Sequence, residues 1–136
     1  MNRPALRRSG VTLSLIFLSV TTANAAINFA PYYTVATGSS AEAVAITDLN
    51  NDGRDDVALI TSYAFDPVND YKLKIFYQDQ FGQLMSSVDL ALQASYTHRP
   101  KSIAVGDLNN DGLMDIAVAM DRDKIQTFTQ NSNGEL

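Results

Sequence analysis

Short apolar runs, each cut off by a cluster of Asn, Asp and Gly, set the rhythm of this chain. Ala43-Val44-Ala45-Ile46-Thr47 and Val57-Ala58-Leu59-Ile60 flank one cluster; Ser102-Ile103-Ala104-Val105-Gly106 and Ile116-Ala117-Val118-Ala119 flank a second. The runs are strand-length, hold β-branched residues and end at turn residues, which predicts buried β-strands. A buried helix is disfavoured because Gly53, Gly112 and the adjoining Asn-Asn pairs cut the runs short. Alanine alternates with larger side chains, so one face of each strand is thin and lets a neighbouring sheet approach. Lys72-Leu73-Lys74-Ile75-Phe76-Tyr77 alternates charge with apolar bulk. That pattern predicts a third, half-exposed strand with Lys72 and Lys74 outward. Its counterpart is Lys124-Ile125-Gln126-Thr127-Phe128-Thr129. Tight turns follow at Gln80-Phe81-Gly82-Gln83 and Ser132-Asn133-Gly134-Glu135, the latter carrying the Asn-Gly hairpin signal. Leu84 to Leu90 then reads as a fourth strand, and Gln93 to Lys101 as a crossing to the next unit.

The chain is therefore an internal repeat. The first two strands recur at an offset of 59 residues and the third at 52, so the first copy carries seven extra residues around Ala64 to Asp70. An enlarged surface loop accounts for them; Asp66 and Asp70 could cap a turn there or touch a ligand, with a solvated loop the preferred reading. Four-stranded antiparallel units of this length predict an all-β fold built from β-propeller blades. The expected division is a first repeat over 41–99 and a second, truncated, over 100–136. A leading strand lies within 26–40 (Ile27 to Val35), where it would complete the last blade of a full ring. About one and three-quarter blades cannot close a ring of roughly 4–8. The remaining blades are expected in a longer polypeptide or, failing that, by self-assembly.

Between the first two strands of each copy stands the same nine-residue phrase. Asp48-Leu49-Asn50-Asn51-Asp52-Gly53-Arg54-Asp55-Asp56 is answered by Asp107-Leu108-Asn109-Asn110-Asp111-Gly112-Leu113-Met114-Asp115. Both read D-x-N-x-D-G-x-x-D. Calcium takes about 6–8 oxygen ligands in flexible geometry, and alternate positions of the phrase offer them. The expected set in loop one is Asp48, Asn50, Asp52, the carbonyl of Arg54, and Asp56. In loop two it is Asp107, Asn109, Asp111, the carbonyl of Leu113, and Asp115. Leu49 and Leu108 fall between ligands and are expected to point into the core. An all-oxygen set disfavours zinc and copper and favours calcium over manganese. Magnesium, which keeps several waters, suits it less. An EF-hand is excluded, because the twelfth position is Leu59 or Val118 where a bidentate Glu is needed, and because the flanks are β. Two copies in register, each with five positions filled, distinguish the phrase from an ordinary polar turn.

The phrase in this strand context resembles FG-GAP/VCBS-type repeats, the blades of integrin-α-like β-propellers. The matching segments are Ala43–Ile60 and Ser102–Met120, with weaker support at Gly82 and Gly134. The resemblance implies two structural calcium sites, one loop per blade, on the positions named above. Phe81-Gly82 is not followed by Gly-Ala-Pro, so the chain looks more like the bacterial VCBS subtype. Integrin-style ligand recognition does not carry over.

Composition adds an address. Arg3, Arg7 and Arg8 precede the apolar stretch Val11 to Val20, and Ala23-Asn24-Ala25 fits small-x-small cleavage. This is an export signal over 1–25, too short to span a bilayer. Without its three arginines the chain has seven basic and fifteen acidic residues, a formal charge of −8. That balance argues against nucleic-acid binding. Cysteine is absent, so no disulfide stabilises the exported product, and bound calcium is the substitute. The only histidine, His98, falls in the crossing segment beside Arg99-Pro100, and no motif assembles a catalytic constellation. Tyr32, Tyr33, Tyr77 and Tyr96 serve interface or core equally well.

The expected function is a non-catalytic adhesion or protein/glycan recognition module outside the cytoplasm, with no membrane span in the mature chain. One alternative is an accessory propeller of a larger secreted enzyme. Another is an enzyme built on the central face of the ring.

Overall fold

A computed structural model describes residues 32–136 of the chain. The expected signal peptide lies outside these residues, as does most of the expected leading strand; residues 32–37 are in no strand. Tyr33–Leu136 forms one compact unit. Its strands are β1 (Ala41–Thr47), β2 (Asp56–Thr61), β3 (Lys72–Phe76), β4 (Val88–Ala91), β5 (Pro100–Gly106), β6 (Asp115–Met120) and β7 (Ile125–Phe128). The first four make an antiparallel sheet in the order β1-β2-β3-β4, and the last three a second sheet, β5-β6-β7. Among the described residues no helix is long and apolar enough to cross a membrane.

The repeat reaches down to register. Val44 faces Leu59 and Ile46 faces Val57 in one sheet; Ile103 faces Val118 and Val105 faces Ile116 in the other. Both first strands carry an irregularity at the same place, between Ala41 and Ala43 and between Pro100 and Ser102. The turns after the third strands also match. Asp79 Oδ1 accepts the N–H groups of Phe81 and Gln83, and Asn131 Oδ1 accepts those of Asn133 and Glu135.

The fourth strand is shorter and later than Leu84 to Leu90. Leu84 makes only an isolated bridge with Gln78, and the ladder resumes at Val88 opposite Ile75. Met85 N bonds the Tyr77 carbonyl, and the pairing then breaks until Val88.

Successive side chains on a strand point to opposite faces, and the two sheets meet through unlike faces. Ile103, Val105, Ile116 and Val118 of the second sheet pack against Ala43, Ala58, Ile60 and Leu73 of the first, with Leu49 and Ile75 in the same core. β1 lies beside β5. The thin, alanine-bearing face of the first sheet thus admits the bulky face of the second. The corresponding bulky residues of the first sheet, Val44 and Ile46, are 55% and 63% exposed.

Two sequence expectations need correction. Lys74 is buried, not outward: β3 is an interior strand, and the Lys74 ammonium is held by Asp89 Oδ2 at 2.6 Å and Asn69 Oδ1 at 3.0 Å. Leu49 is fully buried as expected, but Leu108 is 54% exposed. Leu49 lies under the second repeat, whose Gln130 Nε2 donates to the Leu49 carbonyl. Leu108 has no such neighbour among the described residues.

Candidate functional site

Both acidic phrases form the loop between the first two strands of a sheet. The chain turns within each loop at two left-handed residues, Asn51 (φ 59°) and Gly53 (φ 84°) in one, Asn110 (φ 62°) and Gly112 (φ 86°) in the other. Asparagine and glycine tolerate that conformation, while other residues pay steric strain. The backbone N–H groups then point inward at the aspartates. Asp48 Oδ1 accepts from Asp52 N at 3.1 Å and Oδ2 from Gly53 N at 2.7 Å. Asp107 repeats this with Asp111 N at 3.1 Å and Gly112 N at 2.9 Å. Asn50 Oδ1 accepts from Asp52 N, and Asn109 Oδ1 from Asp111 N. Asp52 Oδ1 and Asp111 Oδ1 accept from Arg54 N and Leu113 N.

The ninth residue of each phrase behaves differently. Asp56 and Asp115 are fully buried at the start of β2 and β6. Asp56 Oδ2 accepts from Leu49 N at 2.9 Å and Oδ1 from Gln78 N at 2.8 Å. Asp115 Oδ2 accepts from Leu108 N and Oδ1 from Gln130 N, both at 2.9 Å. Each therefore clasps its own loop to the end of the third strand of its sheet. The pattern Asp…Asn…Asp…Asp identified these residues, but the carboxylate-to-third-strand contact spans 22 residues in one copy and 15 in the other. No local spacing announced it.

The electrostatics separate the two kinds of aspartate. Burial works against the Asp48 charge, yet the N–H groups of Gly53, Asp52 and Asn50 together hold its pKa below the usual 3.8. The Gly112 N–H does most to lower Asp107. Asp56 is pushed up, chiefly by burial, with the charges of Asp52 and Asp48 adding to it. A carboxyl lowered in the folded state contributes stability above its unfolded pKa, and loses it as pH falls through the folded value. Asp56 has the opposite sign. The chelated protein should accordingly lose an increment of stability below about pH 4, and Asp48→Asn with Asp107→Asn should flatten that acid slope. Urea midpoints between about pH 6 and pH 3 read it; an unchanged slope in the double variant contradicts the assignment.

The loops differ in one respect. Arg54 places its guanidinium between Asp52, with which it forms an ion pair, and the Gln78 carbonyl at 3.1 Å. Loop two has Leu113 at that position, and Asn109 Nδ2 donates to Asp111 Oδ2 at 2.9 Å instead. The loops lie side by side: Asp48 and Asn51 of one and Gly112 and Leu113 of the other line a cleft of about 150 Å³.

A family model for the FG-GAP-like repeat matches residues 48–118, from the first aspartate of loop one into β6. The chain belongs to the FG-GAP-like repeat family. No curated protein and no solved structure is detectably similar to it. The match takes in both acidic loops and the crossing between the sheets, so the two open antiparallel sheets are propeller-type blades of an FG-GAP-like repeat protein.

The side-chain acceptors of the FG-GAP-like loops, carboxylate oxygens and the amide oxygens of Asn50 and Asn109, are the donor type a hard cation takes. An ionised carboxylate offers about four acceptor sites, and Asp56 and Asp115 each spend two on backbone N–H groups. Among the described residues no three acidic or histidine side chains gather closely enough to hold an ion by themselves. Asn50, Asn109 and backbone carbonyls are therefore needed to complete any shell.

The other residues singled out from sequence are dispersed. His98 sits in the crossing, its Nδ1 3.1 Å from Thr97 Oγ1. Tyr77 packs on the core. The Tyr33 hydroxyl donates to the Gly82 carbonyl and accepts from Leu84 N. Asp66 and Asp70 cap turns, the alternative to a solvated loop. Asp66 caps Val68 N and Asn69 N, and the buried Asp70 caps Ala64 N and Asp66 N.

Proposed function

We propose that this chain is part of an exported, calcium-stabilised propeller that acts by recognition and not by catalysis. The observation that carries the reading is the twofold occurrence of one loop. Two nine-residue phrases fold with the same left-handed residues and the same backbone contacts, and turn three hard-oxygen side chains into each loop. In loop one Asp48, Asn50, Asp52, the Arg54 carbonyl and Asp56 would hold the ion. In loop two Asp107, Asn109, Asp111, the Leu113 carbonyl and Asp115 would do so. The ion would supply positive charge where carboxylates crowd one another, lowering Asp56 and fixing the loop against its sheet. Its role is structural. The absence of cysteine and the export signal read in residues 1–25 support a site outside the cytoplasm, where calcium is abundant. The missing Gly-Ala-Pro after Phe81-Gly82 favours the VCBS-type branch.

Extracellular calcium modules bind at about 10⁻⁴–10⁻³ M, so ~1 mM calcium stabilises by ~0.4–1.4 kcal/mol per site. Two sites should raise Tm by several degrees, at about 4–8 °C per kcal/mol for a domain of this size. Melting of the full chain in calcium and in chelator measures the shift. In Asp48→Ala with Asp107→Ala the calcium-dependent part should vanish. A wild-type Tm that ignores calcium would overturn the reading.

A further inference from the structure

The acidic loops occupy one end of the sheets. β1 runs toward them and β2 away, so the β2–β3 loop and the β4–β5 crossing return at the opposite end. There the extra residues of the first repeat build something that the second repeat lacks. The Tyr63 ring centroid lies 4.6 Å from Phe65, 6.2 Å from Tyr71 and 5.9 Å from Tyr96. Arg99 from the crossing stacks its guanidinium 4.4 Å above Tyr96. Tyr63, Phe65, Pro67, Asp70 and Tyr71 line an open cleft of about 450 Å³.

This cluster is exposed at a cost to folding. Phe65 is 84% exposed, Val68 73% and Tyr96 66%. Phe65 also holds a left-handed backbone at φ 63°, a conformation that strains a bulky residue. The Tyr71 hydroxyl is buried without a hydrogen-bond partner. Strain, exposed rings and an unsatisfied hydroxyl in one place mark a functional surface more than a folding one. The loop is nevertheless well held. Asp70 accepts from Ala64 N at 2.9 Å, from Asp66 N at 3.0 Å and from the Ser39 hydroxyl. Its rings are therefore preorganised, which lowers the entropy lost on binding.

We propose that this aromatic platform is a saccharide-binding site that prefers a carboxylate-bearing pyranose. This deepens the recognition reading above and rests on it. A pyranose ring presents an apolar C–H face bordered by oxygen atoms. The electron-rich ring faces of Phe65, Tyr63 and Tyr96 complement the C–H face. Arg99 supplies the charged fork: its Nε donates to the Tyr96 carbonyl at 3.2 Å, and its terminal nitrogens meet no protein acceptor among the described residues. Those donors are free for hydroxyl oxygens and, with bidentate geometry, for a carboxylate. A proline-rich peptide also uses aromatic grooves. Tyr71 stacks on Tyr63 at 17°, while the Phe65 and Tyr96 planes stand at 54° and 84° to Tyr63, so these two outer rings present separate plates rather than walls of one continuous groove. That favours discrete rings as ligands.

The test is calorimetric titration of the full chain, in about 1 mM calcium, with a galacturonate trisaccharide, its methyl ester and a proline decamer. Binding of the acid, weaker binding of the ester, and about tenfold or greater loss of affinity in Phe65→Ala and Tyr96→Ala support the site. Arg99→Gln should abolish the preference for acid over ester. Equal binding of acid and ester by the wild type removes the acid preference and overturns the proposal. No binding of either sugar, binding of the decamer alone, or full affinity in Phe65→Ala and Tyr96→Ala overturns the proposal. Both variants alter exposed rings, and melting curves verify that they fold. The calcium-dependent Tm shift is read separately, so failure of this site and failure of the metal reading are distinguishable.

Discussion

Asp56→Ala is expected to lower the free energy of unfolding by about 3–5 kcal/mol, and Asp115→Ala to do nearly the same. Each carboxylate is fully buried and satisfies two backbone N–H groups, one in its loop and one just past the third strand. Alanine leaves both donors without a partner, at about 1–3 kcal/mol apiece, and opens a small void besides. Asp56→Asn should cost clearly less: it keeps one acceptor oxygen and removes a charge that burial disfavours. Urea unfolding in chelator isolates this effect from any metal. A loss below about 1 kcal/mol in Asp56→Ala would show that the clasp is incidental.

The second large effect concerns a buried cation. Asp89→Ala removes the carboxylate that holds Lys74 at 2.6 Å and leaves the ammonium of this buried residue with Asn69 alone. Stranding such a charge costs several kcal/mol when both partners are buried. Asp89 is about one-third exposed, so a loss of about 2–3 kcal/mol is expected. Lys74→Met should be near neutral, because an apolar side chain of similar length needs no counter-charge. The pair also adds to acid sensitivity. Burial opposes the Asp89 charge, but the bonds from Lys74 and Ser87 prevail and hold its pKa below 3.8. Its contribution is present above that value and fades as pH falls through the folded one. Lys74→Met proving costlier than Asp89→Ala would invert the expected order.

All strands but the fourth were legible because each announces itself twice. Apolar runs of strand length, bounded by Asn-Asn and Gly, place six of the seven strands within one or two residues of their observed ends. The fourth strand was misplaced because its pairing breaks between Met85 and Val88, an interruption that no change in hydrophobicity announces. Lys74 was misread for a related reason. Alternation identifies the two faces of a strand but not which face a neighbouring strand's carboxylate will cover, and Asp89 lies fifteen residues away. Leu49 and Leu108 occupy identical positions in the repeat, yet only Leu49 is covered. Their difference belongs to the neighbourhood and not to the sequence around them. In the loops, the residue types and turn positions could be read directly. The inward clasp at Asp56 and Asp115 could not, because it joins residues that only the folded sheet brings together. The aromatic platform was half visible: the seven extra residues stood out, while its rings come from two separate connections.

The unlike faces of the two sheets give lateral contact a direction. Val44 and Ile46 stand open on one flank, whereas the opposite flank offers the small side chains of Ala104, Ala117 and Ala119. Bulk seats on small and not on bulk, as the contact between the sheets already demonstrates. Units joined through these flanks must follow one another head to tail. Such heterologous joining yields closed circles or open fibres, and never a twofold-symmetric pair.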